Sequence, residues 1–213
     1  MRCYLCGDTH SITNDHVPPK GFFPEPRPSD LITVPCCARC NNSFSKDDEA
    51  VRTWLCSVIG ATPAGEWILT KKVVSGIMTR SPAFRESLLN SMTDAKLLTE
   101  EDGLIDVVSF TFDPERVERF VIRVTKGLLS FYFPDYDYSH DNFSLRFVEP
   151  TRENLNKLDT VKDHLRYDSR GDGVIQYRFG LTDTRRSGIW IIVFYGATIF
   201  LVHHTKALQP AGA

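Results

Sequence analysis

The chain has 213 residues, 42% of them hydrophobic, enough to fill a core in one medium domain or in a small module plus a larger one. Its formal charge of −2 excludes a protein coated in basic residues, so nucleic-acid binding would have to come from local patches and a bound cation. No run approaches the roughly 18 consecutive apolar residues of a membrane span, and Met1-Arg2-Cys3 leads into a cysteine motif rather than a signal peptide, so a cytoplasmic protein with no membrane partner is expected.

Residues 1–50 are rich in Cys, Pro, Asn and Asp and show little periodicity, whereas long amphipathic segments and apolar strands follow. A boundary near Gly60 divides the chain into a small module, 1–60, and an accessory α+β domain, 61–213, for substrate binding or dimerisation. In the module, Pro18-Pro19 and the proline-rich stretch 24–28 impose an extended, turning loop, and Leu31-Ile32-Thr33-Val34 reads as a short strand. A helix is expected over 38–59, with Val51, Trp54, Leu55 and Val58 forming an apolar face that docks on the second domain. Beyond it, helices are expected near 64–79, 82–93, 114–130 and 151–165, and strands near 104–112, 143–149, 173–181, 188–196 and 197–204. Gly196-Ala197 marks a tight return between the last two strands. The pattern implies a mainly antiparallel sheet carrying helices on one face.

Of the six cysteines, four form two CxxC pairs, Cys3-Tyr4-Leu5-Cys6 and Cys37-Ala38-Arg39-Cys40, separated by 30 residues. Two such knuckles can wrap four thiolates tetrahedrally around Zn²⁺ with the intervening chain looped out, a pairing that a disulfide framework does not explain. A closed four-cysteine site has no open coordination position, so this zinc would be structural, stapling a module with little core of its own. Cys36 could compete as a ligand, but the spacing favours Cys37, and Cys56 reads as a core residue on the apolar helix.

Between the knuckles stands Asn14-Asp15-His16-Val17-Pro18-Pro19, and Asn41-Asn42 follows the last cysteine. The order CxxC, Asp-His-hydrophobe-Pro, short strand, CxxC-Asn resembles the zinc-bound HNH (ββα-metal) endonucleases of bacteria and phages. The resemblance covers residues 3 to about 48, roughly a quarter of the chain. It implies phosphodiester hydrolysis in which His16 activates water as general base while Asp15 and Asn41 hold Mg²⁺ or a similar divalent cation. The chemistry of the residues agrees, since a neutral imidazole accepts a proton at neutral pH and carboxylate and amide oxygens suit a hard cation. The family usually carries a middle Asn near its second strand, where this chain offers Asp30. DNA is the expected partner and RNA the second choice, with a homodimer or a regulatory protein as further partners and antiviral defence as a setting. The alternative is a non-catalytic zinc-stapled module that binds nucleic acid or protein, which the six Lys or Arg against seven Asp or Glu in residues 1–60 leave open. A redox role for the CxxC pairs fits less well than zinc.

Substrate contacts are sought among basic residues. Lys46 could meet a phosphate, and Arg116, Arg119, Arg123 and Lys126 recur on the face of helix 114–130 opposite Val117, Phe120, Val121, Val124 and Leu128. Glu115 and Glu118 dilute that stripe, so a solvated helix face is the plainer reading, and Arg185-Arg186 in the turn before the last hairpin is equally ambiguous. Phe131-Tyr132-Phe133, Tyr136 and Tyr138 could stack bases but fit better as a helix end packed on the core. His10 and Lys20 are given no role.

Overall fold

The structure is a computed structural model that describes residues 1–99, 103–182 and 187–206; Arg185-Arg186 lie outside the described residues. Strands β1 (Ile12–Val17) and β2 (Ile32–Cys37) form an antiparallel hairpin that pairs Asp15 with Val34 and His16 with Thr33. Strand β2 runs directly into α1 (Ala38–Ser43), and α2 (Ser45–Cys56) follows. The single helix expected over 38–59 is thus interrupted at Phe44, whose ψ of 2° leaves the α-helical region, and it ends at Cys56. The Asp-His segment is a strand because β2 supplies its hydrogen-bond partners.

The stretch expected as one helix over 64–79 comprises α3 (Pro63–Ile68), a π-helical run (Leu69–Ile77) and α4 (Met78–Arg80), and α5 (Pro82–Asn90) succeeds it. Strands β3 (Thr93–Thr99) and β4 (Gly103–Ser109) make a separate hairpin. Strand β3 escaped the sequence reading because its alternation is weak; Leu98 and its neighbour Leu104 across the hairpin are 75% and 61% exposed.

Helix α6 (Pro114–Tyr132) begins where Asp113 accepts hydrogen bonds from the Glu115 and Arg116 amides, with Pro114 in the first turn where its missing N–H costs nothing. Then come β5 (Asp141–Val148), α7 (Arg152–Val161), β6 (Arg166–Arg170), β7 (Ile175–Leu181), β8 (Ser187–Phe194) and β9 (Thr198–Lys206). The five strands form one antiparallel sheet in the order β5-β9-β8-β7-β6, so the chain is α+β as expected.

Alternation along the strands sends Tyr177, Phe179, Trp190, Ile192, Phe194, Phe200 and Val202 to one face of the sheet, where the apolar stripe of α6 shares their core. The opposite face buries a smaller set, Val148, Ile191 and Ile199, with Leu158 of α7 packed on it. Helices therefore lie on both faces, not on one, because Ile191 and Val193 make the outer face apolar as well. The main core continues across Gly60: Phe22 stacks on Phe120 with ring centroids 4.9 Å apart, and the Tyr195 hydroxyl donates to the Phe22 carbonyl at 2.9 Å. Gly127 lets α6 pass against β1, since a Cβ there would stand 2.5 Å from Val17 Cγ2.

Candidate metal centre and adjoining site

The first knuckle is a tight turn closed by backbone bonds, the Gly7 amide donating to the Cys3 carbonyl at 2.9 Å, with Gly7 at φ +74°. It is tied to β2 by the Tyr4 amide, which donates to the Pro35 carbonyl at 2.9 Å. The second knuckle spans the junction of β2 and α1, where Cys37 caps the helix and accepts from the Cys40 amide. Strand pairing thereby brings cysteines 30 residues apart in sequence into one cluster. The sulfurs of Cys3, Cys6, Cys37 and Cys40 all lie within 4.8 Å of one another. Thiolates held about 2.3 Å from a tetrahedral Zn²⁺ stand roughly 3.8 Å apart, and Cys6 and Cys37 are 3.7 Å apart. The four cysteines form a cluster that could hold a metal such as zinc.

The fifth thiol nearby, Cys36, is fully buried with its sulfur 3.8 Å from that of Cys3. Burial and the adjacent Cys3 push the Cys36 thiol up, toward the neutral form. Burial also opposes ionisation of Cys3, but backbone amides of Cys37, Cys6 and Leu5 outweigh it and lower the thiol to about 6, which favours the thiolate that a metal requires. Cys56 is buried on α2, as expected of a core residue.

Successive residues of β1 leave opposite faces of the hairpin. Asp15 points inward, 7% exposed, where the Tyr4 hydroxyl donates to its Oδ2 at 2.9 Å. Thr13 shares that side, and the Asn41 amide of α1 donates to Thr13 Oγ1 at 3.1 Å and to the Asn14 carbonyl at 3.4 Å. Helix α1 therefore holds Asn41 on the Asp15 side of β1. His16 leaves the other side, one residue before the strand ends, and is half-buried. Burial, reinforced by Lys20 and Arg27, holds its imidazole below the ordinary value and hence neutral at pH 7, despite the pull of Asp15. Asp15 and Asn41 are thus brought to one side of the strand, and His16 to the other.

Asp30, considered for the family's middle position, precedes β2 and lies 3.8 Å from Arg170 in an ion pair. The β2 residue facing His16 is Thr33, exposed on the same side of the hairpin. Its register was invisible without the pairing of the strands.

The basic stripe of α6 is solvent-exposed in part at Arg116 and Arg119 and buried at Arg123, because α2 packs along it. Arg116 and Arg119 meet Asp47 at 3.4 and 3.2 Å, and Arg123, 4% exposed, is ion-paired with Asp48 and stacked over Phe44 at 4.5 Å. Lys126 lies over the Phe143 ring at 5.0 Å. Lys46 is exposed in a cleft with Glu49, Ser81 and Arg116, a position that α2 turns toward α5. Burial raises the Asp48 carboxyl to about 6 against the pull of Arg123, and Asp15 adds to the rise. Tyr4 and Asp48 were not singled out in the sequence; Tyr4 was visible inside the knuckle, whereas nothing local marks Asp48 as facing Asp15. The aromatic run packs into the core at Tyr136 and Tyr138, the latter donating to the Tyr4 carbonyl at 2.9 Å, while Phe131 stays 43% exposed.

Compared with protein families, curated proteins and solved structures, the chain matches none. Its own residues therefore carry the case for what it does. Among the described residues no helix is long and apolar enough to cross a membrane.

Proposed function

We propose that this chain is a metal-dependent DNA endonuclease of the ββα-metal kind, with residues 1–56 as its catalytic module. The observation that carries this reading is the continuity of β2 with the cysteine-bearing helix α1, which sets Asn41 beside the strand that bears Asp15 and His16. Zinc in the four-cysteine cluster would act as a staple, with no open position for substrate. The Asp15 carboxylate and the Asn41 amide oxygen, both hard donors, would hold Mg²⁺ or a similar ion, which when bound offsets charge on the phosphate and the leaving oxygen. His16, neutral at pH 7, accepts the proton of the attacking water. The new P–O bond forms as the bond to the leaving sugar oxygen breaks, and that oxygen departs with the electron pair. Cutting both strands would call for two copies, and defence against foreign DNA is the setting that the family resemblance suggests.

A second reading, a zinc-stapled module that binds without cutting, is favoured by one feature. Asp15 is 7% exposed with Tyr4 bonded to it, and His16 leaves the opposite side of β1.

Plasmid nicking in Mg²⁺ or Mn²⁺ separates the two. Wild-type protein is expected to nick, and His16→Ala and Asp15→Asn to lose the activity while retaining one zinc per chain. Equal nicking by wild type and His16→Ala, or none by the wild type with either metal, would overturn the nuclease and leave the binding module.

A further inference from the structure

The cations near His16 are distributed unlike those of α6. Lys20 opens a short 3-10 turn (Lys20–Phe22) just beyond β1, Arg27 lies in the proline-rich loop, Arg52 on α2 and Lys72 on the π-helical run. Four separate segments thus bring positive charge to the turn that follows β1. Arg27 Nε donates to the Lys20 carbonyl at 3.3 Å, and Lys72 Nζ donates to the Phe23 carbonyl at 3.3 Å. The Arg52 guanidinium lies against Gly21, where a Cβ would stand 2.5 Å from Nη1. His16 feels the charges of Lys20 and Arg27, and Lys72 those of Arg27 and Arg52, so the group is contiguous.

Little acid balances it. Glu25 pairs with Arg27 at 2.5 Å and with Lys72 at 3.8 Å. Among the described residues Lys20 and Arg52 have no ion-pair carboxylate, and Arg52 Nε is buried with no hydrogen-bond partner. Asp48 also feels Arg52 but is committed to Arg123. Gathering four cations costs free energy that an arriving anion returns, and cations spread over several segments, with Lys20 and Arg27 exposed, match an extended polyanion better than a single small one.

We infer that Lys20, Arg27, Arg52 and Lys72 form the surface on which the phosphate backbone of DNA lies beside His16. The choice of DNA rests on the nuclease reading above; the surface itself rests on the excess of four cations over the one carboxylate, Glu25, that pairs with them among the described residues. Lys and Arg meeting phosphates position a strand without reading its bases, so binding here is independent of sequence.

The experiment uses the His16→Ala protein, zinc-loaded, and a short fluorescein-labelled DNA duplex, with binding followed by anisotropy at several salt concentrations. Each lost phosphate contact lowers the slope of log K against log salt by about 0.9. The combined Lys20→Gln, Arg27→Gln, Lys72→Gln substitution is expected to lower it by about 2.7 and to weaken binding at low salt by at least about tenfold. Lys20→Gln alone, where no ion pair is lost, is expected to lower the slope by about 0.9 and to keep the melting temperature and zinc content of its parent. Arg116→Gln with Arg119→Gln is expected to leave the slope unchanged. A parental slope in both Lys20→Gln and the triple variant, or a loss confined to the α6 pair, overturns the assignment. Binding through the patch without plasmid nicking by the wild type would sustain the surface and remove the nuclease, whereas nicking with an unchanged KM for DNA in the triple variant would do the reverse.

Discussion

The knuckle–hairpin–helix part and the five-stranded sheet reach order by different means. The sheet is held by large buried rings: Phe179 and Trp190 stack at 4.6 Å, and Phe194 lies between Phe120 and Phe200 at 5.7 and 6.3 Å. In the first part, two cysteine turns must be brought against a short hairpin, and Phe22 and Phe23 are lent to the core beneath α6 and the sheet. The difference teaches where chemistry can be placed. A strand packed on both faces, such as β8, has no side chain to spare, whereas β1 is supported from one side and leaves His16 and its neighbouring cations accessible from the other.

Metal removal should break the comparison most severely. Structural zinc sites contribute roughly 10–16 kcal/mol of apparent binding free energy at neutral pH, so a chelator or Cys37→Ser should unfold residues 1–56. Because Phe22 is stacked on Phe120, the loss should spread to α6 and lower the melting temperature of the whole chain. Hydrogen exchange read segment by segment checks this: protection of α6 that survives zinc removal unchanged would show the two parts to be independent. Zinc content by mass spectrometry should remain one per chain in Cys36→Ser.

Trp190→Ala should act from the other side. Truncating a fully buried aromatic costs about 3–5 kcal/mol, seen as a lower urea midpoint, and zinc stoichiometry should not change. A simultaneous loss of zinc would mean that the cysteine cluster depends on the sheet as much as the sheet gains from Phe22.

The smallest effect sharpens the boundary between the parts, at Asp48. Its folded pKa of about 6 lies above the unfolded carboxyl value of roughly 3.9. The stability contributed by the protonated form is therefore full below about pH 4 and is lost as pH rises through about 6. Asp48→Asn cannot titrate, so the stability of wild type relative to the variant should fall by about 2–3 kcal/mol between pH 4 and pH 7. Urea unfolding of both proteins across that range measures it, and a constant difference would mean that Arg123 keeps Asp48 ionised throughout.

The cysteine spacing, the amphipathic stripe of α6 and the apolar runs of β8 and β9 were legible in the sequence because each is a local pattern of period or spacing. Strands β3 and β6 were not, since Asp94-Ala95-Lys96 and Tyr167-Asp168-Ser169 lack strong alternation and become strands through partners that are weakly signalled. The α6 arginines were visible as a stripe, but their pairing with Asp47 and Asp48 depends on how α2 and α6 pack, which no local pattern reports.

The sequence by itself determined that two CxxC turns and an Asp-His-Val-Pro-Pro segment would share one module, because short-range spacing dictates which ligands a turn can present. Only the tertiary structure decided which face each group occupies. Pairing β1 with β2 turned Asp15 toward Tyr4 and α6 and His16 away from them, and helix packing neutralised the arginines of α6 while leaving Lys20 and Arg52 without carboxylate partners among the described residues. Side-chain direction and charge compensation are properties of surfaces brought together by the fold, so neither can be read from neighbours in the chain.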